Sequence, residues 1–145
     1  EHEQLKQYLE NTTGQRNANI IVIKNDLSHI YEIIEALNKN ELVCMHSDRF
    51  LPGNKTFDAM FLGEKARFPQ GPFLLASKLE VPVSFVFALK ETLYHYHFFA
   101  TKGVIYKNIS GNTPQHILNA FTEAMTEKVK AYPSQWFNYY NFWRA

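Results

Sequence analysis

His46-Ser47-Asp48-Arg49 puts an imidazole, a hydroxyl, a carboxylate and a guanidinium in four consecutive positions. An arginine offers a planar fork of donors that fits a phosphate or carboxylate, and a neighbouring aspartate can orient that fork or accept from a substrate hydroxyl. The plainer alternative is a loop salt bridge of little energetic weight. Arg49, Lys55, Lys65 and Arg67 make the same stretch locally basic, as a phosphorylated head group or a phosphopantetheine-type donor would require. Asp48, Asp58 and Glu64 nearly cancel that charge, which favours a solvated mixed-charge surface.

Other residues support weaker chemistry. His95 and His97 stand two apart on a predicted strand, so they share a face and could share a metal, but no third ligand follows at a recognisable spacing. A polar strand face is preferred, with Tyr94, Tyr96 and Phe98 packed on the opposite side. Cys44 lacks a CxxC partner and falls within a predicted strand, so it reads as an inert buried thiol. Trp136, Tyr140 and Trp143 are spaced i, i+4 and i+7, a stripe that packs inward or, with Arg144 beside it, meets a membrane surface.

The elements that position these groups can be read from spacing. Ile20 to Ile23 is a β-branched run suited to a buried strand, and Leu42 to Met45 reads as a second. Between them Ser28 can cap a helix whose apolar positions are Ile30, Ile33, Ile34 and Leu37. That order predicts a βαβ unit with a parallel strand pair. The stretch from His46 to Gly71 contains Pro52, Gly53, Asn54, Gly63 and Pro69 and reads as mostly loop, the first place to look for a site. A short helix is predicted over Phe73 to Leu79 and a central strand over Val81 to Leu89. Leu93 to Ala100 and Gly103 to Lys107 are predicted to pair around Thr101-Lys102-Gly103. Thr113 and Pro114 open a long helix with Ile117, Phe121, Ala124, Met125, Val129 and Tyr132 on one face, ended by Pro133. The fold class is therefore α/β, with a mixed, partly parallel sheet flanked by helices.

Composition bounds the function. A chain of 145 residues is the size of one domain and can form a core without disulfides. Its net charge of +1 supplies no field to gather nucleic acid, and its single cysteine forbids an internal disulfide. The longest apolar run, Val81 to Leu89, is far shorter than the roughly 20 residues that a membrane-spanning helix needs. The opening Glu1-His2-Glu3-Gln4 is neither an initiator methionine nor a signal sequence, as expected of a piece of something longer.

Four segments then carry a resemblance: Glu41-Leu42-Val43-Cys44-Met45-His46-Ser47-Asp48-Arg49; Phe61-Leu62-Gly63-Glu64 with Phe68-Pro69-Gln70-Gly71-Pro72; Val81-Pro82-Val83; and Pro133-Ser134-Gln135-Trp136. In their order and spacing they resemble the carboxyl-terminal half of the lipid A late acyltransferase family, a branch of the lysophospholipid acyltransferase superfamily. The resemblance implies transfer of a fatty acyl chain from acyl carrier protein or a coenzyme A thioester to a hydroxyl of a glycolipid or phospholipid-like acceptor. It also implies that the work is done at the cytoplasmic face of the bacterial inner membrane, with the membrane reached through a missing amino-terminal part. The family's base is a histidine followed five positions later by Asp or Glu, a pair suited to activating a hydroxyl.

This sequence has no such pair. The positions five after its six histidines hold Gln7, Ile34, Leu51, Ala100, Lys102 and Phe121. The expectation is a single domain over residues 1–145 that forms the carboxyl-terminal part of a larger acyltransferase and is inactive alone. No catalytic residue is carried over. Asp48 and Arg49 are carried over as substrate-binding residues, with Gly53, Arg67 and Phe68 as nearby loop positions; no metal and no bound cofactor is expected. The rival reading is a non-catalytic module that binds a lipid or a carrier protein on an acyltransferase-like sheet.

Overall fold

The computed structural model describes residues 19–23, 26–50, 53–107, 111–139 and 142–143. Gln7, Leu51, Pro52, Tyr140, Arg144 and the opening Glu1-His2-Glu3-Gln4, all weighed above, lie outside the described residues. Contacts divide the chain into two units, Glu1–Met45 and His46–Ala145.

In the first unit the predicted helix forms as α1, Ser28–Asn38. Leu27 holds the cap position, and the side chain of Asp26 rather than Ser28 serves the helix start, accepting the Ser28 backbone N–H at 3.0 Å. Ile33 is buried, and Ile30, Ile34 and Leu37 are half-buried on the same face. Asn40, in the left-handed region at φ 57°, turns the chain out of the helix. The two flanking strands do not form, so the parallel pair is absent among the described residues. A β-branched run fits a strand, but a strand exists only when a ladder partner satisfies its backbone, and none pairs with Ile20–Ile23 or Leu42–Met45 there. Leu42 is 96% exposed, and Cys44 is exposed too, which corrects its reading as a buried thiol.

The second unit corrects the long loop. Around Gly63 the chain forms an antiparallel hairpin of β1, Thr56–Phe61, and β2, Glu64–Pro69. Phe57, Ala59 and Phe61 face inward with Ala66 and Phe68, while Asp58, Met60, Lys65 and Arg67 face out, the period-two pattern of a half-buried sheet. Leu62 and Gly63 both have positive φ, 52° and 94°, as a two-residue primed turn demands. Gly63 therefore closes a hairpin instead of interrupting structure. Gly71 and Pro72 fall in the first turn of α2, Gln70–Leu79, where a missing N–H costs nothing.

The second hairpin is built from different partners than expected. β3, Val86–Lys90, pairs antiparallel with β4, Tyr96–Ala100, around a connection at Glu91–His95. Residues Gly103 to Lys107 contribute only a bridge, Val104 to Val83. Val86 and Ala88 point to solvent while Phe87 and Leu89 turn inward, so β3 is buried on one face and not two.

α3, Thr113–Ala131, forms as predicted, with Asn112 at the cap and Thr113 already helical. Ile117, Leu118, Phe121, Thr122 and Met125 are buried. Phe121 lies against Phe68, Phe73, Phe85 and Phe87, joining both hairpins and α2 in one core. The aromatic end is a single 3-10 turn, Pro133–Gln135, followed by irregular chain, so the expected helical stripe does not form there. Trp136 and Trp143 nevertheless pack, both against Phe61. The described fold is thus a small mixed α/β arrangement of three helices and two antiparallel two-stranded sheets.

Candidate functional site

Arg49 lies in the irregular segment of the second unit that precedes β1. Its Nε lies 3.6 Å from Asp48 Oδ2, an ion pair too long to be a hydrogen bond, and its Nη2 donates to the carbonyl oxygen of Phe137 at 3.3 Å. The Arg49 side chain is 61% exposed and that of Asp48 26%. Arg49 therefore ties its own segment to the chain after the 3-10 turn. Its five-donor fork has more donors than this one contact uses.

Arg67 stands on the outer face of β2, opposite Asp58 in the register. Its guanidinium carbon is 6.0 Å from the ring centroid of Phe50, a cation–π distance. Phe50 directly follows Arg49, so Arg67 on β2 touches the residue next to Arg49 in the chain. Lys65 is committed elsewhere, paired with Asp58 at 2.8 Å. The mixed-charge surface expected from the sequence thus describes Lys65 with Asp58 and Arg49 with Asp48.

Phe68 occupies a different environment. Neighbours on a strand point to opposite faces, so Arg67 outward requires Phe68 inward. Phe68 is fully buried, edge-on to Phe61 and Phe121. Its expected place in a loop is corrected: it is core, supporting the strand that presents Arg67. Gly53 is exposed at φ 87° with no atom within 4 Å of where a side chain would begin. Its backbone conformation, and not a close approach, is what calls for glycine.

The histidines do not assemble a metal centre: among the described residues no group of three His, Cys, Asp or Glu side chains could hold an ion. His97 Nδ1 lies 2.9 Å from Glu91 Oε1, and His95 Nε2 lies 3.7 Å from Glu91 Oε2. The His97 ring stacks on Phe99 at 4.0 Å. Tyr94, Tyr96 and Phe98 are 91%, 55% and 68% exposed, so the packing expected of them is corrected. The imidazole–carboxylate contact was missed in the sequence because His97 and Glu91 meet only once the connection between β3 and β4 folds back.

No helix among the described residues is long and apolar enough to cross a membrane. A profile of the bacterial lipid A biosynthesis acyltransferase family matches residues 3–145. No curated protein and no solved structure gives a significant match.

Proposed function

Since the chain belongs to the bacterial lipid A biosynthesis acyltransferase family, we propose that it serves the transfer of a fatty acyl group to a hydroxyl of a glycolipid or phospholipid-like acceptor. Acyl carrier protein or a coenzyme A thioester is the donor in this reading, and the cytoplasmic face of the inner membrane is the place. Arg49 and Arg67 hold an anionic group of donor or acceptor, with Asp48 orienting Arg49. Gly53 shapes the loop beside them and Phe68 keeps β2 in place beneath. The observation that supports the site is the approach of the Arg67 guanidinium to Phe50, the residue beside Arg49, at 6.0 Å.

The chain supplies recognition and not the base. None of its histidines has a carboxylate five positions later, so nothing in that pattern can draw the proton from an acceptor hydroxyl. Alone it transfers no acyl group; the dyad comes from an amino-terminal part of the enzyme. The runs Ile20–Ile23 and Leu42–Met45 then gain parallel partners in the larger domain, which completes the partly parallel sheet.

The test is Arg49→Ala in a protein that carries this chain together with the dyad. Transfer from an acyl thioester is abolished while the circular dichroism spectrum is unchanged, since an exposed pair such as Arg49 with Asp48 contributes at most about 1 kcal/mol to stability. Unchanged turnover removes Arg49 from the site. The absence of the dyad favours a second reading, a non-catalytic module for a lipid or carrier protein. A native protein that lacks the dyad throughout and still binds acyl carrier protein would select it.

A further inference from the structure

The β3–β4 hairpin uses its two faces differently. Opposed residues in an antiparallel ladder share a face, so Phe87, Leu89 and Phe99 turn toward the core, where Phe87 stacks on Phe121. Val86, Tyr96 and Phe98 occupy the other face and stay 60%, 55% and 68% exposed. The connection adds Leu93 and Tyr94, which are 70% and 91% exposed. An apolar patch of this kind marks a contact surface.

Charge identifies what it contacts. Lys90 is the basic residue of the outer face, and the one acid of the connection, Glu91, has its carboxylate turned to His97 and His95. Lys90 Nζ lies 5.7 Å from the ring centroid of Tyr96, so cation and aromatic share the outer face. A protein interface is depleted in lysine at its core. A bilayer surface suits the same pairing: tyrosine rings lodge at the headgroup level, and lysine stems lie along them while the ammonium meets lipid phosphates.

We propose that the outer face of the β3–β4 hairpin, led by Leu93 and Tyr94, docks on an anionic lipid bilayer. This extends the lipid-substrate reading above, but its test measures binding and not transfer. The purified protein is sedimented with phosphatidylcholine vesicles, and with vesicles in which about a third of the lipid is phosphatidylglycerol, an anionic surface of the kind that attracts basic segments. The protein sediments with the anionic vesicles. Leu93→Ser with Tyr94→Ser lowers that partition by at least about tenfold. Lys90→Gln lowers it by about fivefold on anionic vesicles only. Leu42→Ser, which removes a more exposed leucine outside the hairpin, leaves it unchanged.

Circular dichroism verifies that each variant is folded, and the exposure of Tyr94 makes Tyr94→Ser alone a second variant with no core contact to lose. No sedimentation of the parent protein with anionic vesicles, or equal sedimentation of the Leu93 and Tyr94 variants, overturns the proposal. Self-association that Phe98→Ser abolishes, without vesicle binding, gives the face to a second copy and overturns it as well. If Arg49→Ala leaves transfer intact while vesicle binding behaves as expected, the site assignment falls and the docking surface stands.

Discussion

Trp143 donates its indole N–H to the carbonyl oxygen of Phe61 at 3.2 Å, with their rings nearly parallel and centroids 6.2 Å apart. Phe61 is the last residue of β1, so this contact fastens the aromatic end of the chain to the turn of the first hairpin. Trp136 and Phe142 join the same cluster, at 5.3 and 5.5 Å from the Phe61 ring. The two tryptophans, both half-buried, thereby pack against the core. Arg49 is held by the carbonyl of Phe137, the residue after Trp136, so this aromatic packing also positions the candidate site.

Phe61→Ala should cost about 3–5 kcal/mol, because four aromatic neighbours lose their shared partner and a cavity remains. Trp143→Phe keeps a ring but gives up the hydrogen bond and should cost about 1 kcal/mol from that loss, plus a smaller packing term. Urea denaturation of both variants measures the order. Equal losses would mean that the hydrogen bond, and not the ring cluster, dominates at this point.

Gln135 explains one segment of the family resemblance in structural terms. Its side-chain oxygen accepts the Lys90 backbone N–H at 2.7 Å and its amide nitrogen donates to the Lys90 carbonyl at 2.8 Å. One amide side chain thus extends the ladder at the end of β3 as a neighbouring strand would. Gln135→Leu should cost about 1–3 kcal/mol, since two backbone groups lose their partners at once. Hydrogen exchange at the Lys90 amide should accelerate with it, and unchanged protection there would remove Gln135 from this role.

Helices were legible in the sequence because their period is local: both α1 and α3 lie within two residues of their predicted ends, and the apolar positions named on them are buried or half-buried, although buried Leu118 and Thr122 of α3 were not among those named and Tyr132 falls just past its end. Strand partners were not, because a ladder is a relation between distant residues. Tyr96–Ala100 found Val86–Lys90 and not Gly103–Lys107, although all three runs are apolar. Between His46 and Gly71 the density of Gly and Pro outweighed the alternation of Phe57, Ala59 and Phe61, which was the signal for β1. Asp48 and Arg49 were legible by residue type, whereas the approach of Arg67 to Phe50 required the hairpin to be in place.

Gly63→Ala tests the turn that made this hairpin. The position sits at φ 94° with open space around it, so the penalty is conformational and not steric contact with a neighbour. A loss of about 1–2 kcal/mol is expected by thermal or urea unfolding. Gly53→Ala, at φ 87° in a connection outside any ladder, is a matched comparison for strain alone. A Gly63→Ala protein as stable as the parent would mean that the turn tolerates another geometry.

Tyr106 sets a limit on alkaline stability. Burial of its half-buried phenol raises its pKa above the ordinary 10.0, and the carboxylate of Glu123 pushes in the same direction. A pKa raised on folding leaves stability untouched below the unfolded value, where the phenol is neutral in both states. Above about pH 10 the unfolded chain gives up the proton more readily, so stability falls as pH rises toward the folded pKa and this group adds no further loss beyond it. Tyr106→Phe should therefore flatten the decline of the urea midpoint above that pH. Glu123→Gln should bring phenolate formation at Tyr106 to lower pH but not to the ordinary value, because burial is the larger cause. A difference titration of phenolate absorbance between the parent and Tyr106→Phe isolates this one tyrosine, and a titration at or below the ordinary value would show that the site is wetter than its packing implies.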